Sequence, residues 1–414
     1  MEYYPRKIEE KLDKWMNRNE IIIIKGPRQS GKTTLLLHLK EKYGGKYITF
    51  EDLDMLESFE NSPKEFIKRF LENKKVILYI DEAQYCKEVG KKLKLIYDLY
   101  QNDLKIIVTG SGSFDIKVEV GKYLVGRVIY FEIFPLSFGE FILWKAKDLH
   151  RIFSEYLEQT IQFINEGKPI YVKPVFKKEF FSLLEEYVIY GSFPAIVKEK
   201  ERNVKIELLK NLLKTYLEKD VFFFFNVREL EKFRKFVNYL SLLTGSFLEF
   251  SSITQEVGID YKTIINYISI LINTYFIRLI QPFYKNRITE IKKSKKIYFV
   301  DLGIRNAIIN NFINLDSRTD KGQILENFVL NELIHLGYNV KYWRTTGKAE
   351  IDFIIEKNSK IIPIEVKTSG NIKKGFISFL KSYNPTNAIV FTMKDFEIKK
   401  IYNTTVAFLP IYFI

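Results

Sequence analysis

Eight residues, Gly26-Pro-Arg-Gln-Ser-Gly-Lys-Thr33, restrict what this chain of 414 residues can fold into more than any other feature. They match G-x-x-x-x-G-K-[ST] at every defined position, follow the β-branched run Ile21 to Ile24, and open a helix-patterned stretch from Thr33 to Glu41. A glycine-rich turn between a buried strand and a helix aims backbone N–H groups outward at the positive end of that helix, which makes a seat for phosphate. The expected contacts to ATP run through Gly26, Pro27, Arg28, Gln29, Ser30, Gly31, Lys32, Thr33 and Thr34. Lys32 neutralises the β and γ oxygens, and the Thr33 hydroxyl is offered to Mg2+.

Magnesium also needs a carboxylate at the end of a neighbouring strand. The run Val76 to Ile80 followed by Asp81-Glu82 provides it. Asp81 is expected to hold the metal through water, and Glu82 to orient or deprotonate the attacking water. Thr109, in Thr109-Gly-Ser111, is either a polar sensor at the γ-phosphate or part of a polar turn. Arg127 is either an arginine finger, acting in cis or from a neighbouring subunit of a homo-oligomer, or an ordinary surface arginine.

Five short apolar runs lie within the first 135 residues: Ile21 to Ile24, Tyr47 to Phe50, Val76 to Ile80, Ile106 to Val108 and Val128 to Phe131. Continuous runs separated by helical segments predict a parallel sheet covered on both faces. Beyond Leu136 the strand signals vanish, and helical periodicity predicts a lid or connector over 136–230. Residues 231–290 read as helix, helix, turn, helix and strand, the order of a winged helix. In it Tyr261, Lys262, Thr263 and Asn266 of the third helix are available to phosphates or bases. Residues 291–414 return to mixed α/β, with strands at 297–300, 340–343, 351–355, 361–366 and 388–391 and a helix near Gly322 to Leu336.

Asp352 and Glu365 fall on two strands joined by the short polar turn Glu356-Lys-Asn-Ser-Lys360, which predicts a hairpin. With its centre between Asn358 and Ser359, Asp352 stands opposite Glu365 and Glu350 opposite Lys367. All four project from one face, while Ile351, Phe353, Ile355, Ile362, Ile364 and Val366 take the other. Directly opposed carboxylates repel unless a cation lies between them. The pair therefore suggests Mg2+ or Mn2+, with Glu326 as a third candidate ligand and Lys367 placed to position or activate a water. The competing reading is a pair of solvent-facing edge strands with Glu350 and Lys367 as a cross-strand ion pair.

Composition bounds these readings. The single cysteine, Cys86, excludes an intramolecular disulfide, and with only three histidines it excludes a zinc site built from Cys and His. The expected compartment is the reducing cytoplasm; no run approaches the length of a membrane span, and no signal or transit peptide is indicated. The net charge of +14 is uneven: residues 262–414 carry 23 basic and 12 acidic side chains, a net of +11. Lys285, Arg287, Lys292, Lys293, Lys295 and Lys296 belong to that excess. A phosphodiester held near acids needs such a field, so DNA is the expected partner of residues 262–414, and a membrane is not.

Taken with Asp81-Glu-Ala-Gln84, Gly126-Arg127, Pro135-Leu-Ser-Phe138, Tyr190-Gly-Ser-Phe-Pro194, Tyr216-Leu-Glu-Lys-Asp220 and Glu350-Ile-Asp-Phe353, the whole chain resembles a family of archaeal and bacterial AAA-type ATPases. These carry an uncharacterised C-terminal region with a PD-(D/E)XK nuclease-like end. The resemblance implies an α/β multidomain protein: a P-loop NTPase sheet, a helical lid, a winged helix and a restriction-endonuclease-like domain. Its helix acid, strand acid and E-x-K map to Glu326, Asp352, Glu365 and Lys367. The leading expectation is an ATP-hydrolysing, DNA-binding protein whose C-terminal domain cleaves or grips DNA. A nucleotide-controlled switch with a vestigial nuclease fold is the alternative, and protein handling by an oligomeric ring is the weakest.

Overall fold

Ile21, Ile22, Ile23 and Ile24 are all inaccessible to solvent because β1 (Ile21–Lys25) lies inside a sheet with helices on both faces. The computed structural model describes residues 3–110, 122–217, 221, 229–283, 294–345, 347, 349–357, 360–369 and 372–414. The chain divides into two units, the first comprising Met1–Pro135, Thr215–Val227 and Ile268–Phe276, and the second the remainder.

In the first unit α1 (Glu9–Met16) precedes β1, and α2 (Lys32–Tyr43) leads to β2 (Lys46–Thr49). There follow α3 (Leu53–Asn61), α4 (Pro63–Lys68), β3 (Val76–Asp81), α5 (Val89–Tyr100), β4 (Leu104–Gly110) and β5 (Val128–Glu132). The strand order is β2-β3-β4-β1-β5, and every pairing is parallel. Strand alternation divides the core. Ile22, Ile24, Tyr79 and Ile107 pack with Leu12 and Met16 of α1 and Leu35, Leu36 and Leu39 of α2. Ile21, Ile23, Leu78, Ile80, Ile106 and Val108 pack with Phe59, Phe66, Leu93 and Ile96 of α3 to α5. All five expected strands are present, and their C-terminal ends share one edge of the sheet.

The second unit begins with α6 (Phe138–Lys145), whose capping box pairs Ser137 with Glu140, and continues through α7 (Lys147–Glu166), α8 (Lys177–Tyr190) and α9 (Pro194–Lys198). Gly191 after α8 is obligatory: its φ is 75°, and a Cβ there would lie 2.2 Å from Asp301 Oδ1. Asp301 accepts from Ser192 N at 2.7 Å and also caps the helix that follows it, so Tyr190 to Pro194 is a structural joint. After α10 (Arg202–Thr215), α11 (Leu230–Leu242) and α12 (Phe250–Val257) run in sequence; α13 (Tyr261–Asn273) starts in this unit and passes into the first at Ile268, and β6 (Ile277–Ile280) follows in the second. The strand expected at 297–300 is β7 (Lys296–Phe299), which pairs antiparallel with β6 and takes no part in the C-terminal sheet.

Beyond α14 (Leu302–Ile308), α15 (Lys321–His335) precedes β8 (Val340–Arg344), β9 (Glu350–Lys357) and β10 (Lys360–Lys367). Then come α16 (Lys374–Tyr383), β11 (Asn387–Thr392), β12 (Glu397–Ile401) and β13 (Thr404–Pro410). These six strands form a sheet in the order β12-β13-β11-β10-β9-β8. It is antiparallel from β8 to β10, parallel from β10 through β11 to β13, and antiparallel again at the edge strand β12.

Candidate functional site

The loop after β1 is shaped by backbone conformations that few residues adopt. Gln29 has φ 61° and Gly31 φ 96°, both left-handed, and a Cβ on Gly26 would fall 2.0 Å from Ile133 O. Lys32 opens α2; its buried Nζ donates to Gly26 O at 3.1 Å and Pro27 O at 2.7 Å, spanning the loop it serves. Thr33 is exposed and Thr34 half-buried. Ser30 is fully buried, and its Oγ has no hydrogen-bond partner. An orphaned hydroxyl, a free threonine hydroxyl and a curled run of N–H groups fit a phosphate with its magnesium.

Strand order brings the acids to the same edge. β4 lies between β1 and β3, with Thr109 in register with Ile24. Asp81, 2% exposed, accepts from Thr109 Oγ1, from Glu82 N at 3.1 Å and from Tyr47 Oη at 2.9 Å. Without nucleotide, the Thr109 hydroxyl proton goes to the Asp81 carboxylate. Ser111 lies outside the described residues. Glu82 sits at φ 53° with its carboxylate accepting from Gln84 Nε2. Tyr47, which the sequence reading missed, lies two residues before Thr49, the register partner of Asp81. Burial, with Asp81 beside it, pushes its phenol pKa upward, so it stays a donor.

Arg127 is elsewhere. Its backbone carbonyl accepts from Ile21 N at the start of β1, and its guanidinium pairs with Asp98 at 3.0 Å. The phosphate loop leaves the other end of β1, five residues on. A finger role in cis is ruled out by that distance along the strand.

The second cluster lies in the C-terminal sheet. The β9–β10 ladder pairs Lys357 with Lys360, Ile355 with Ile362 and Phe353 with Ile364, the register expected of the hairpin. Both strands are internal, which excludes the edge-strand reading. Ile354 on the Asp352 face is also fully buried, so that face is partly core. Asp352 Oδ2 accepts from Val366 N at 2.8 Å and from Lys367 Nζ at 3.2 Å, and Lys367 also bonds Glu365. Glu365, 2% exposed, leaves Oε1 buried without a partner. Burial, reinforced by Asp352, pushes the Glu365 carboxyl well above the usual carboxylate range. For Asp352 burial is outweighed by Lys367 and Lys296, and its pKa falls.

Glu326 does not join that pair as a ligand. Its Oε1 takes Tyr298 Oη at 2.5 Å and Lys296 Nζ at 3.2 Å, and Lys296 also reaches Glu350 at 2.5 Å. Among the described residues no three His, Cys, Asp or Glu side chains gather as a metal-binding set. A cation here would meet two carboxylates, Asp352 and Glu365, a donor set that would suit Mg2+ completed by waters and a substrate phosphate, and the orphaned Glu365 Oε1 fits it. Lys296, read from sequence as part of a phosphate-facing basic run, is 2% exposed and serves as an internal counter-ion. Lys285, Arg287, Lys292 and Lys293 lie outside the described residues. On α13, Tyr261, Lys262 and Asn266 are exposed, but the Thr263 hydroxyl donates to Asp260 at 2.7 Å within the helix cap.

Residues 18–142 match the AAA domain, residues 182–315 a domain of unknown function (DUF8612) and residues 321–414 another (DUF4143). The first region is thus similar to an AAA-type P-loop ATPase domain. An uncharacterized protein of Methanocaldococcus jannaschii is 28% identical over 361 residues, 84% of this chain and 74% of that one. One of Haemophilus influenzae is 26% identical over 380 residues, 86% and 84% respectively. A Signal Transduction ATPase with Numerous Domains (STAND) protein with a tetratricopeptide repeat sensor from Pyrococcus horikoshii aligns with 15% identity and a TM-score of 0.29, covering 81% of this chain and 46% of that structure. No helix among the described residues is long and apolar enough to cross a membrane.

Proposed function

We propose that the chain binds and hydrolyses ATP, and that its C-terminal half acts on DNA. The observation that carries the first part is the shared sheet edge: the curled loop, Lys32, the exposed Thr33 hydroxyl, the fixed Asp81 carboxylate and Glu82 all gather at the C-terminal ends of β1, β3 and β4. Loop N–H groups and Lys32 bind the phosphates, Thr33 and Asp81 hold Mg2+, and Glu82 takes the proton of the attacking water once it leaves Gln84. When bound, the metal supplies charge neutralisation at the phosphate oxygens. The purified chain should release phosphate from ATP in a Mg2+-dependent way. Lys32→Ala and Glu82→Gln should each remove that activity, and hydrolysis surviving both would sink the assignment.

For the C-terminal half we read β6–β7 with α11 to α13 as a winged helix and the Asp352–Glu365–Lys367 cluster as a magnesium-dependent phosphodiester-cleaving site. Lys367 is positioned to steady a water, and the excess positive charge of residues 262–414 offsets repulsion between acids and DNA. One observation favours the other reading, a nucleotide-controlled switch that grips DNA without cutting: Lys296 and Lys367 already neutralise much of the cluster. Incubation with plasmid and single-stranded DNA and Mg2+ separates them. Nicking by the wild type that Asp352→Ala abolishes supports cleavage; equal survival of all DNA forms with both proteins supports the switch.

A further inference from the structure

We propose that Arg6 is a positioning residue for the phosphate loop, an inference that rests on the nucleotide reading above. Arg6 is 8% exposed although it lies near the start of the chain. Its Nη1 donates to Ser30 O at 3.0 Å and its Nη2 to Phe134 O at 2.8 Å, joining three segments that are far apart in sequence. The residue is itself anchored. Arg6 N donates to Glu9 Oε1 at 2.6 Å, the same oxygen takes Tyr3 Oη at 2.6 Å, and Glu9 Oε2 lies 3.2 Å from His38 Nε2 on α2. Tyr3 stacks on the His38 ring with centroids 3.7 Å apart. The N-terminal segment is therefore fastened to the helix that the phosphate loop opens.

The consequence follows from the planarity of the peptide unit. In a trans peptide the carbonyl of residue 30 and the N–H of residue 31 point in opposite directions. Holding Ser30 O against the guanidinium turns the Gly31 N–H away from Arg6. That peptide joins Ser30 to Gly31, whose φ of 96° lies in the region open to glycine, so the backbone has little steric resistance of its own to a flip. The second carbonyl extends the brace: Phe134 follows Ile133, whose own carbonyl abuts Gly26. Both ends of the loop are thus referenced to one segment. The guanidinium meets the two carbonyls through separate nitrogens, Nη1 and Nη2, a spacing that a single ammonium does not reproduce, so lysine is a partial substitute.

A role confined to phosphate positioning affects ground state and transition state alike, so it appears in KM and in nucleotide affinity with kcat nearly unchanged. Binding of a fluorescent ATP analogue and steady-state hydrolysis should be compared for wild type, Arg6→Lys, Arg6→Ala and Lys32→Ala, with thermal melting of each. Arg6→Ala is expected to raise both KM and Kd for ATP about tenfold, with kcat within about twofold, and Arg6→Lys about threefold. Should Arg6→Ala not fold, Arg6→Lys carries the test. A lowered melting temperature with unchanged KM and Kd in the folded variant would overturn the proposal and leave Arg6 a structural tie. Wild type that neither binds nor hydrolyses ATP overturns the nucleotide reading and this inference with it.

Discussion

The phosphate loop and the carboxylate cluster both concentrate charge at a sheet, but they are made of different materials. The loop is contiguous, built mainly from backbone N–H groups, and its one lysine rests on carbonyl oxygens. The cluster is assembled from side chains of α15, β7, β9 and β10, and each lysine in it faces two carboxylates. The first leaves a charge deficit for a ligand to complete; the second satisfies much of its charge internally. Removing a lysine charge should therefore cost ligand affinity at the first and fold stability at the second.

The largest expected effect tests that division directly. Lys296→Met takes a buried cation from Glu326 and leaves Glu350, 29% exposed, facing Arg344 at 3.9 Å; breaking a buried pair costs about 3–5 kcal/mol. Lys32→Met removes bonds to two neutral carbonyls and should cost less than about 1 kcal/mol. Urea unfolding of both variants decides the matter; equal losses would erase the distinction. Next in size is a network in the second unit with the opposite balance, where Asp320 bonds both Arg305 and Arg318. Burial opposes ionisation of Asp320, but the two arginines outweigh it and lower its pKa from 3.8 to about 2. A depressed carboxylate contributes stability that is present above about pH 4 and lost as the pH falls through about 2. The contribution is about 2 kcal/mol, and Asp320→Asn should flatten that part of the acid-unfolding profile.

Glu365 comes next and carries the reverse sign. Its carboxyl is held well above the usual range by burial, so ionising it at neutral pH works against the fold. Glu365→Gln should raise stability at pH 7 by about 1 kcal/mol while removing any cleavage of DNA. A loss of stability instead would show that the cluster is organised around the Glu365 charge as the loop is around its phosphate.

How much of each region could be read from sequence follows the same division. The loop and its strand were legible because eight consecutive residues carry the chemistry and the neighbouring isoleucines carry the fold. The hairpin register was legible too, since period-two alternation and a short polar turn leave one pairing that buries Ile355, Ile362 and Ile364 together. Lys296 was not: it arrives from a different sheet, and in sequence it is one member of a basic run. Tyr47 and the Thr109 bond to Asp81 depend on which strands are neighbours, which strand order alone reveals. β12 escaped because Glu397-Ile-Lys-Lys-Ile401 is an exposed edge strand whose lysines hide any apolar pattern while guarding the edge against pairing.

The smallest predicted effect concerns the one residue assigned to the nucleotide site that the fold places away from it. Arg127 pairs with Asp98 at the entry edge of the first sheet, with both side chains more than a third exposed. An exposed pair contributes about 0.2–1 kcal/mol, so Arg127→Ala should shift thermal stability slightly. At protein concentrations where light scattering reports a monomer, its ATP turnover should match wild type within about twofold, because nothing on that edge can reach a phosphate bound after β1. A large loss of turnover in the monomer would break the placement. A loss confined to an assembled state would mean that the site is completed by a second copy, and that its charge deficit is filled partly by protein, as in the carboxylate cluster.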